Sequence, residues 1–185
     1  MNVYDFDKTI YDGDSTVDFF KFSIKRHPSI CLGLPFTSVC FVLMLLRLMG
    51  KTRCKQFFYR FLKRIPDIDS ETEIFWDINT SKIKGWYKKR QKADDLIISA
   101  SPEFLLEPVC KKLGVALMAS RVDRHTGKYS GVNCHGSEKV ERYRAVFGDK
   151  IIEEFYSDSY SDDPLAQIAV KSFLVDGDKI SGWRK

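Results

Sequence analysis

Residues 1–15 read MNVYDFDKTIYDGDS and contain the pattern Asp-x-Asp-x-Thr directly after a short apolar run. Successive side chains of an extended segment point to opposite sides, so Asp5 and Asp7 leave the end of a strand on the same side. Two carboxylates a few ångströms apart repel each other unless a cation or a shared proton compensates. The stretch therefore predicts a magnesium site in which one aspartate is a nucleophile. A solvated turn after an edge strand is the alternative.

The segment from 95 onward predicts a strand, a helix and a second strand. Three apolar residues begin the stretch 96–100, which ends in small polar residues such as Ser99. Runs of this kind are typical of strands that are buried on both faces. A helix is predicted over 104–113 with Ser101 as its N-cap, and the next strand over 115–119.

The last third of the chain repeats this alternation. The pattern predicts a β-hairpin over 121–134, a helix over 138–147 capped by Ser137, a strand over 151–156, a helix opened by Pro164 and a strand over 168–175. Strands that alternate with helices in this way predict one parallel α/β sheet. The active crevice of such a sheet lies beyond the carboxyl ends of its strands.

Three polar residues are expected to meet at that edge. Asp5, Ser99 and Asp158 each stand at the end of a predicted strand. Lys139 lies in the first turn of a predicted helix, where a cation opposes the helix dipole. Its position therefore indicates a role other than helix stabilisation.

In order and spacing, four segments resemble the motifs of the haloacid dehalogenase (HAD) superfamily of phosphatases. They are Asp5-Phe6-Asp7-Lys8-Thr9, Ile98-Ser99-Ala100-Ser101, Gly136-Ser137-Glu138-Lys139 and Asp158-Ser159-Tyr160-Ser161-Asp162. The resemblance is to the branch that includes phosphoserine phosphatase, subfamily IB. It implies a HAD-like Rossmannoid parallel sheet flanked by helices, with an inserted all-helical type-1 cap. Residues 1–14 and 93–185 would form the catalytic core and residues 15–92 the cap. One departure is Ser157, which stands where this family usually has glycine.

The resemblance implies a division of labour among the motif residues. Asp5 would attack the substrate phosphorus and form an aspartyl-phosphate, which splits one slow hydrolysis into two easier steps. Asp7 would protonate the leaving oxygen and later deprotonate the attacking water. Thr9 and Ser99 would bind the phosphoryl group, and Lys139 would neutralise its charge and restrain the nucleophile.

The same resemblance implies that Mg²⁺ is the cofactor. It would be held by the carboxylates of Asp5 and Asp158, by the backbone carbonyl of Asp7 and by water molecules. Asp162 would support this shell. Its spacing from Asp158 favours it over Asp163, although both carboxylates also suit the first turn of a helix.

The predicted cap consists of helices. A capping box at Ser15 opens the first helix, and a second one at Ser70 opens a helix that runs to a basic end at 88–90. Between them, residues 52–65 place apolar side chains on one helical face and cations on the others. Such a helix is typical of binding to anionic lipid, and equally of an aromatic stripe that faces a protein core.

Residues 30–46 are almost wholly apolar. Seventeen helical residues would extend about 25 Å, which is shorter than a bilayer core of roughly 30 Å. Gly33 and Pro35 shorten any continuous helix further. A membrane span is therefore disfavoured, and the stretch predicts either a buried hairpin or an apolar face that rests on a membrane.

The charge distribution separates the predicted cap from the core. Residues 15–92 contain 16 Lys and Arg against 6 Asp and Glu, a balance of +10, whereas the remainder contains 14 against 19. A basic segment suits an anionic substrate or surface, and an acidic one suits a divalent cation. The apolar and basic cap resembles that of HAD-type phosphatidylglycerophosphate phosphatases, which implies a lipid phosphate monoester as substrate and peripheral membrane contact through the cap.

Other functions remain open at this point. The chain could be a soluble phosphatase acting on phosphoserine or another small metabolite, or a phosphate- or membrane-binding module without turnover. Nucleic acid is not expected as a partner, because the basic residues accompany no motif that reads it. Five cysteines without a Cys-x-x-Cys pair predict reduced thiols and a cytoplasmic protein, with association at the inner face of the membrane as a further option. No cleavable export signal is expected, because the aspartate motif lies so near the first residue.

Overall fold

A computed structural model describes residues 1–184, apart from the side chains of Leu34, Phe41 and Lys51; Lys185, the last residue of the predicted core, lies outside it. The predicted α/β fold is confirmed: six strands form one sheet in the order β3-β2-β1-β4-β5-β6, flanked by helices. The strands are β1 (Val3–Tyr4), β2 (Leu96–Pro102), β3 (Ala116–Ser120), β4 (Ile152–Ser157), β5 (Ala169–Asp176) and β6 (Lys179–Gly182).

The first five strands are parallel, and β1 lies at the centre between β2 and β4. Parallel neighbours require crossover connections, which helices provide. These helices are α6 (Glu103–Leu113), α7 (Ser137–Phe147) and α8 (Asp163–Ile168). The sequence did not predict β6, which pairs antiparallel with β5 through a tight turn at Gly177, where φ is 58°.

Side chains of the central strands alternate between two apolar clusters, one on each face of the sheet. Val3, Leu96 and Ile98 belong to one cluster, whereas Tyr4 and Ile97 belong to the other. Because both faces of the central strands are covered, β1 and the first three residues of β2 are apolar, as expected of a parallel sheet. Polar site residues follow these apolar stretches.

All five helices of the predicted cap region lie between β1 and β2 in the chain. They are α1 (Ser15–Arg26), α2 (Leu34–Leu45), α3 (Lys51–Phe58), α4 (Ile68–Asn79) and α5 (Gly85–Arg90), with 3-10 turns over Pro28–Gly33, Tyr59–Arg64 and Thr80–Lys82. The division of the chain into a core and a cap at 15–92 stays a prediction.

The predicted serine caps are wrong. Helix α1 is capped by Asp14, which accepts from the amide of Val17, and α4 by Asp67, which accepts from the amide of Ser70. Asp14 precedes Ser15 by one residue, and Asp67 precedes Ser70 by three. Aspartate and serine are about equally good N-caps, so the capping residue could not be chosen from the residue type alone. Ser137 does not cap α7 either, because Gly136 takes that position.

One longer predicted element is wrong, and another is confirmed only in part. The helix expected from Ser70 to the basic end is interrupted, because the chain after α4 forms a β-bridge between Ile83 and Tyr11 before α5 begins. The hairpin expected over 121–134 is much shorter: Val122 and Tyr129 form an antiparallel bridge, and Asp123 shapes the turn between them by accepting from the amide of Thr126.

The apolar run after α1 does not form the buried hairpin that was one of its two expected structures. Leu32 and Leu48 are each 74% exposed, and many large apolar side chains of α2 are also exposed. In the described part of the chain, none of the helices combines the length and apolar character needed to cross a membrane.

Candidate active site

A cavity of about 570 Å³ lies where the strand ends of the sheet meet helices of the segment between β1 and β2, residues 15–92, here called the insertion. The structure brings most of the predicted site residues to its wall. Those that line it are Asp5, Asp7, Ser99, Lys139, Asp158 and Asp162. The order of the strands explains why these residues lie close together. Asp5 and Asp158 follow the neighbouring strands β1 and β4, and Ser99 lies in β2, the other neighbour of β1.

Lys139 links two carboxylates at the base of the cavity. Its ammonium group lies 2.7 Å from Oδ1 of Asp5 and 2.7 Å from Oδ2 of Asp162, and its side chain is 2% exposed. Burial lowers the pKa of Lys139, but the two carboxylates outweigh this effect and hold the pKa above its usual range. The lysine is therefore charged, which explains a cation in the first turn of α7.

The two aspartates of the first motif lie in different surroundings. Burial raises the pKa of Asp5 to about 7 despite the opposing charge of Lys139. Burial also raises the pKa of Asp7 to about 6, with a contribution from the charge of Asp14. Asp7 accepts hydrogen bonds from neutral donors instead of an ammonium: the amide of Ser15 at 2.6 Å and the hydroxyl of Ser101 at 2.5 Å. One carboxylate is thus held by a cation and the other by dipoles.

Thr9 connects two loops behind the cavity. Its hydroxyl accepts from the backbone amide of Asp158 at 2.9 Å and donates to Oδ2 of Asp5 at 3.4 Å, and the residue is fully buried. The threonine thereby ties the loop after β1 to the loop after β4. Its assignment as a phosphate ligand stays a prediction.

Asp162 and Asp158 differ in their contacts. The carboxylate of Asp162 is buried and also accepts from the hydroxyl of Ser157 at 2.8 Å. Ser157 thus supports the lysine–aspartate pair and, as its φ is not positive, the turn does not need the usual glycine. Asp158 is half-buried, and burial raises its pKa.

Ser101 is a site residue that the sequence reasoning placed wrongly. It was expected to cap α6, but Pro102 occupies the N-cap and the serine hydroxyl donates to Asp7. Ser99 and Ser101 are two residues apart, a spacing that places both side chains on one side of a strand. That spacing was the available signal, and the good capping propensity of serine obscured it.

We expect Ser101→Ala to lower kcat for a phosphomonoester on the order of tenfold, because Asp7 loses the donor that orients its carboxylate. Steady-state kinetics would measure this, with thermal unfolding to show that the fold is retained. Ser70→Ala is the matched control, since that exposed serine lies outside the site and caps no helix. Equal kcat values for Ser101→Ala and the parent protein would show that Ser101 has no role in turnover.

Lys84 was also missed by the sequence reasoning. It is 8% exposed, and its ammonium group donates to the carbonyl of Lys8 at 2.5 Å and to that of Gly177 at 2.7 Å. Lys8 has a φ of 58°, which is uncommon for a residue other than glycine. Lys84 therefore ties the loop that contains Asp5, Asp7 and Thr9 to the β5–β6 turn. No local pattern around Lys84 indicated this long-range contact.

The helices of the insertion supply the remaining wall of the cavity, and most of that wall is apolar. Its residues come from α1, α2, α3 and the turn after α3, namely Thr16, Val17, Thr37, Met44, Cys54, Lys55, Phe58 and Tyr59. The insertion also contacts the core directly: a Cβ at Gly127 would lie 2.5 Å from the carbonyl oxygen of Tyr59. Only glycine permits this close approach.

Parallel strands in this order, with acidic side chains after β1 and β4 and a buried lysine beside them, are consistent with the fold of the haloacid dehalogenase-like hydrolases. The family model of the haloacid dehalogenase-like hydrolases matches residues 3–167, and the chain belongs to this family.

Among characterised sequences, the chain is similar to the protein CicA of two Caulobacter vibrioides strains. The identity is 28%, and the match covers 90% of this chain and 81% of CicA. The solved structures include a protein of unknown function from Bordetella pertussis Tohama I, with 18% identity, a TM-score of 0.70 and coverage of 93% of this chain and 87% of that one. A phosphoserine phosphohydrolase-like protein from Francisella tularensis subsp. tularensis SCHU S4 has 14% identity, a TM-score of 0.54 and coverage of 93% and 86%. At these identities the structural matches support the fold.

Proposed function

We propose that the protein is a magnesium-dependent phosphomonoester hydrolase that works through an aspartyl-phosphate on Asp5. The observation that carries the proposal is the contrast between the two aspartates: Lys139 holds Asp5, whereas Ser101 and a backbone amide hold Asp7. A nucleophile and an acid–base group need such different environments.

The arrangement suits a two-step reaction. In the first step, an oxygen of Asp5 forms a bond to phosphorus while the bond to the leaving oxygen breaks, and Asp7 donates its proton to that oxygen. In the second step, Asp7 takes a proton from water, which attacks phosphorus and breaks the bond to Asp5. Asp7 accepts only from neutral donors, so its carboxyl can gain and lose a proton without breaking an ion pair, which suits it for both transfers.

Two further residues would stabilise the phosphoryl group. The ammonium group of Lys139 lies beside Asp5 and would offset the charge that develops there. Ser99 is 1% exposed, lines the cavity and would donate its hydroxyl to a phosphoryl oxygen. Asp162 would keep Lys139 in place from the opposite side.

The acidic residues of the cavity fit a magnesium ion. Within residues 1–184 no cluster of three or more His, Cys, Asp or Glu side chains is placed to hold a metal ion. Magnesium commonly takes only one or two carboxylates and retains several waters. Asp5, Asp158 and the backbone carbonyl of Asp7 provide such a set, and in the described chain the carboxylate of Asp158 forms no hydrogen bond or ion pair with another residue. When bound, magnesium would offset the negative charge of the phosphoryl oxygens.

The favoured substrate is a lipid phosphate monoester such as phosphatidylglycerophosphate. The support is the apolar wall that α2 and α3 add to the cavity, together with the basic charge of the insertion. A cap of the kind found in phosphatidylglycerophosphate phosphatases would serve this substrate. The competing candidate is a small metabolite such as phosphoserine, which the polar floor of the cavity could bind without using the apolar wall.

A panel of phosphomonoesters containing p-nitrophenyl phosphate, phosphoserine and phosphatidylglycerophosphate tests this proposal. We expect hydrolysis in the presence of Mg²⁺, complete loss after treatment with EDTA, and recovery on adding Mg²⁺ back. We also expect kcat/KM to be at least about tenfold higher for the lipid than for phosphoserine. The acyl chains of the lipid would displace water from the apolar wall, whereas phosphoserine has no apolar group to do so.

The outcomes separate the alternatives. A preference for phosphoserine would replace the lipid hypothesis while leaving the reaction intact. Full activity in EDTA would contradict the requirement for magnesium. Binding of phosphate without turnover of any ester would identify a non-catalytic module, and the proposed function would be rejected.

A further inference from the structure

The outer surface of α2 and of the turn that follows it carries a continuous set of large apolar side chains exposed to solvent. Each is at least half exposed: Phe36, Val39, Val42, Leu45, Leu46 and Leu48. Soluble proteins expose isolated apolar residues routinely, but a contiguous group of this size usually marks an interaction site.

Helix α2 has a second face that belongs to the cavity. Thr37 and Met44, seven residues apart, line the cavity, and seven residues are about two helical turns. Val39 and Val42 lie between them in sequence and are 57% and 51% exposed. One helix therefore covers the active cavity on one side and presents apolar side chains to the outside on the other.

The segment of sequence that contains this surface carries charges of one sign. Between residues 19 and 66 the sequence contains ten Lys and Arg and no Asp or Glu. Arg53, Arg60 and Arg64 are exposed. The guanidinium group of Arg60 lies 5.5 Å from the ring centre of Phe36, so cationic and apolar groups are in contact at the edge of the surface.

We propose that α2 and the turn at 45–48 dock on an anionic lipid bilayer, with the apolar side chains in the interface and the arginines at the headgroups. Burial of apolar residues together with attraction of cations to anionic lipid is the general basis of interfacial binding. A second copy of the chain is a poorer occupant, because the exposed arginines of the two copies would face one another. This inference does not depend on the proposed hydrolysis.

Co-sedimentation with vesicles tests the proposal. The full chain is expected to bind vesicles that contain about one third phosphatidylglycerol and to remain in the supernatant with pure phosphatidylcholine. Binding should weaken at about 1 M salt, where the attraction between exposed charges is screened.

Two variants and matched controls identify the surface. Leu46→Glu combined with Leu48→Glu should lower the partition coefficient at least about tenfold, because two apolar side chains no longer enter the interface. Arg53→Gln should lower it about fivefold, the equivalent of one cationic contact. Val146→Glu and Val170→Glu, exposed valines at 67% and 62% on the core, should leave binding unchanged.

Three outcomes would overturn the proposal: failure to bind anionic vesicles, equal loss of binding in the core controls, or a concentration-dependent dimer that the Leu46 and Leu48 substitutions abolish while lipid binding persists. Asp5→Asn should bind vesicles as the parent does. Docking in that variant without turnover would show that the docking proposal and the proposed reaction are separate.

Discussion

Asp5→Asn is expected to lower kcat for p-nitrophenyl phosphate by at least about 10⁴-fold, because the amide cannot form the covalent intermediate. Asn has nearly the same shape, and Lys139 keeps its contact with Asp162, so the fold should be retained. Rapid-quench kinetics with radiolabelled substrate would measure the loss directly, since the labelled protein intermediate should disappear together with turnover.

Asp149→Asn is the matched control for this substitution. Asp149 is an exposed carboxylate in the loop between α7 and β4. Its substitution should leave kcat and the labelled intermediate unchanged. Retained activity in Asp5→Asn would mean that another group attacks phosphorus, and the proposed nucleophile would be rejected.

Lys139→Met is expected to lower the free energy of unfolding by about 3–5 kcal/mol, the usual cost of removing one partner from a buried ion pair. Asp5 and Asp162 would then lie close together in the interior without their shared cation. Urea unfolding of the metal-free protein would measure the change. Lys128→Met, which replaces an exposed lysine, should change the stability by less than about 0.5 kcal/mol.

The loss in Lys139→Met should depend on pH. Burial already raises the pKa of Asp5, and removing the lysine removes the main opposing effect, so the pKa rises further. A buried carboxylate with a raised pKa costs stability when ionised and recovers it as the pH falls and the group is protonated. The difference from the parent protein should therefore be larger near pH 8 than near pH 5.

A second substitution can test the same pair. Adding Asp162→Asn to Lys139→Met should restore part of the lost stability, because only one buried carboxylate remains. A loss that is independent of pH, and that Asp162→Asn does not reduce, would contradict the view that charge repulsion causes the destabilisation.

The sheet and the aspartates at its edge could be predicted because their signals are local. The apolar runs in β1 and β2 are short, so the polar residues at 5 and 99 stand out where each run ends, and Asp158 directly follows β4. Lys139 was identified by a conflict with the helix dipole, and the structure explains the conflict by placing two carboxylates beside it.

The remaining features depend on contacts between distant parts of the chain. The local sequence favoured Ser101 as a helix cap. The carboxylate that it binds, that of Asp7, is 94 residues away in the chain, so no local pattern indicated this contact. The break between α4 and α5 arises where Ile83 pairs with Tyr11. Hydrophobicity alone could not distinguish a buried α2 from an exposed one, because both consist of apolar residues.

The two segments that join the insertion to the sheet are paired with each other. The amide of Asp12 donates to the carbonyl of Lys82, and the amide of Lys84 donates to the carbonyl of Ile10. These two bonds form a short antiparallel pair, and Lys84 extends from it to the carbonyl of Lys8. Any displacement of this pair would therefore be transmitted to the backbone between Asp5 and Thr9, so the geometry of that loop is coupled to the position of the helices between β1 and β2.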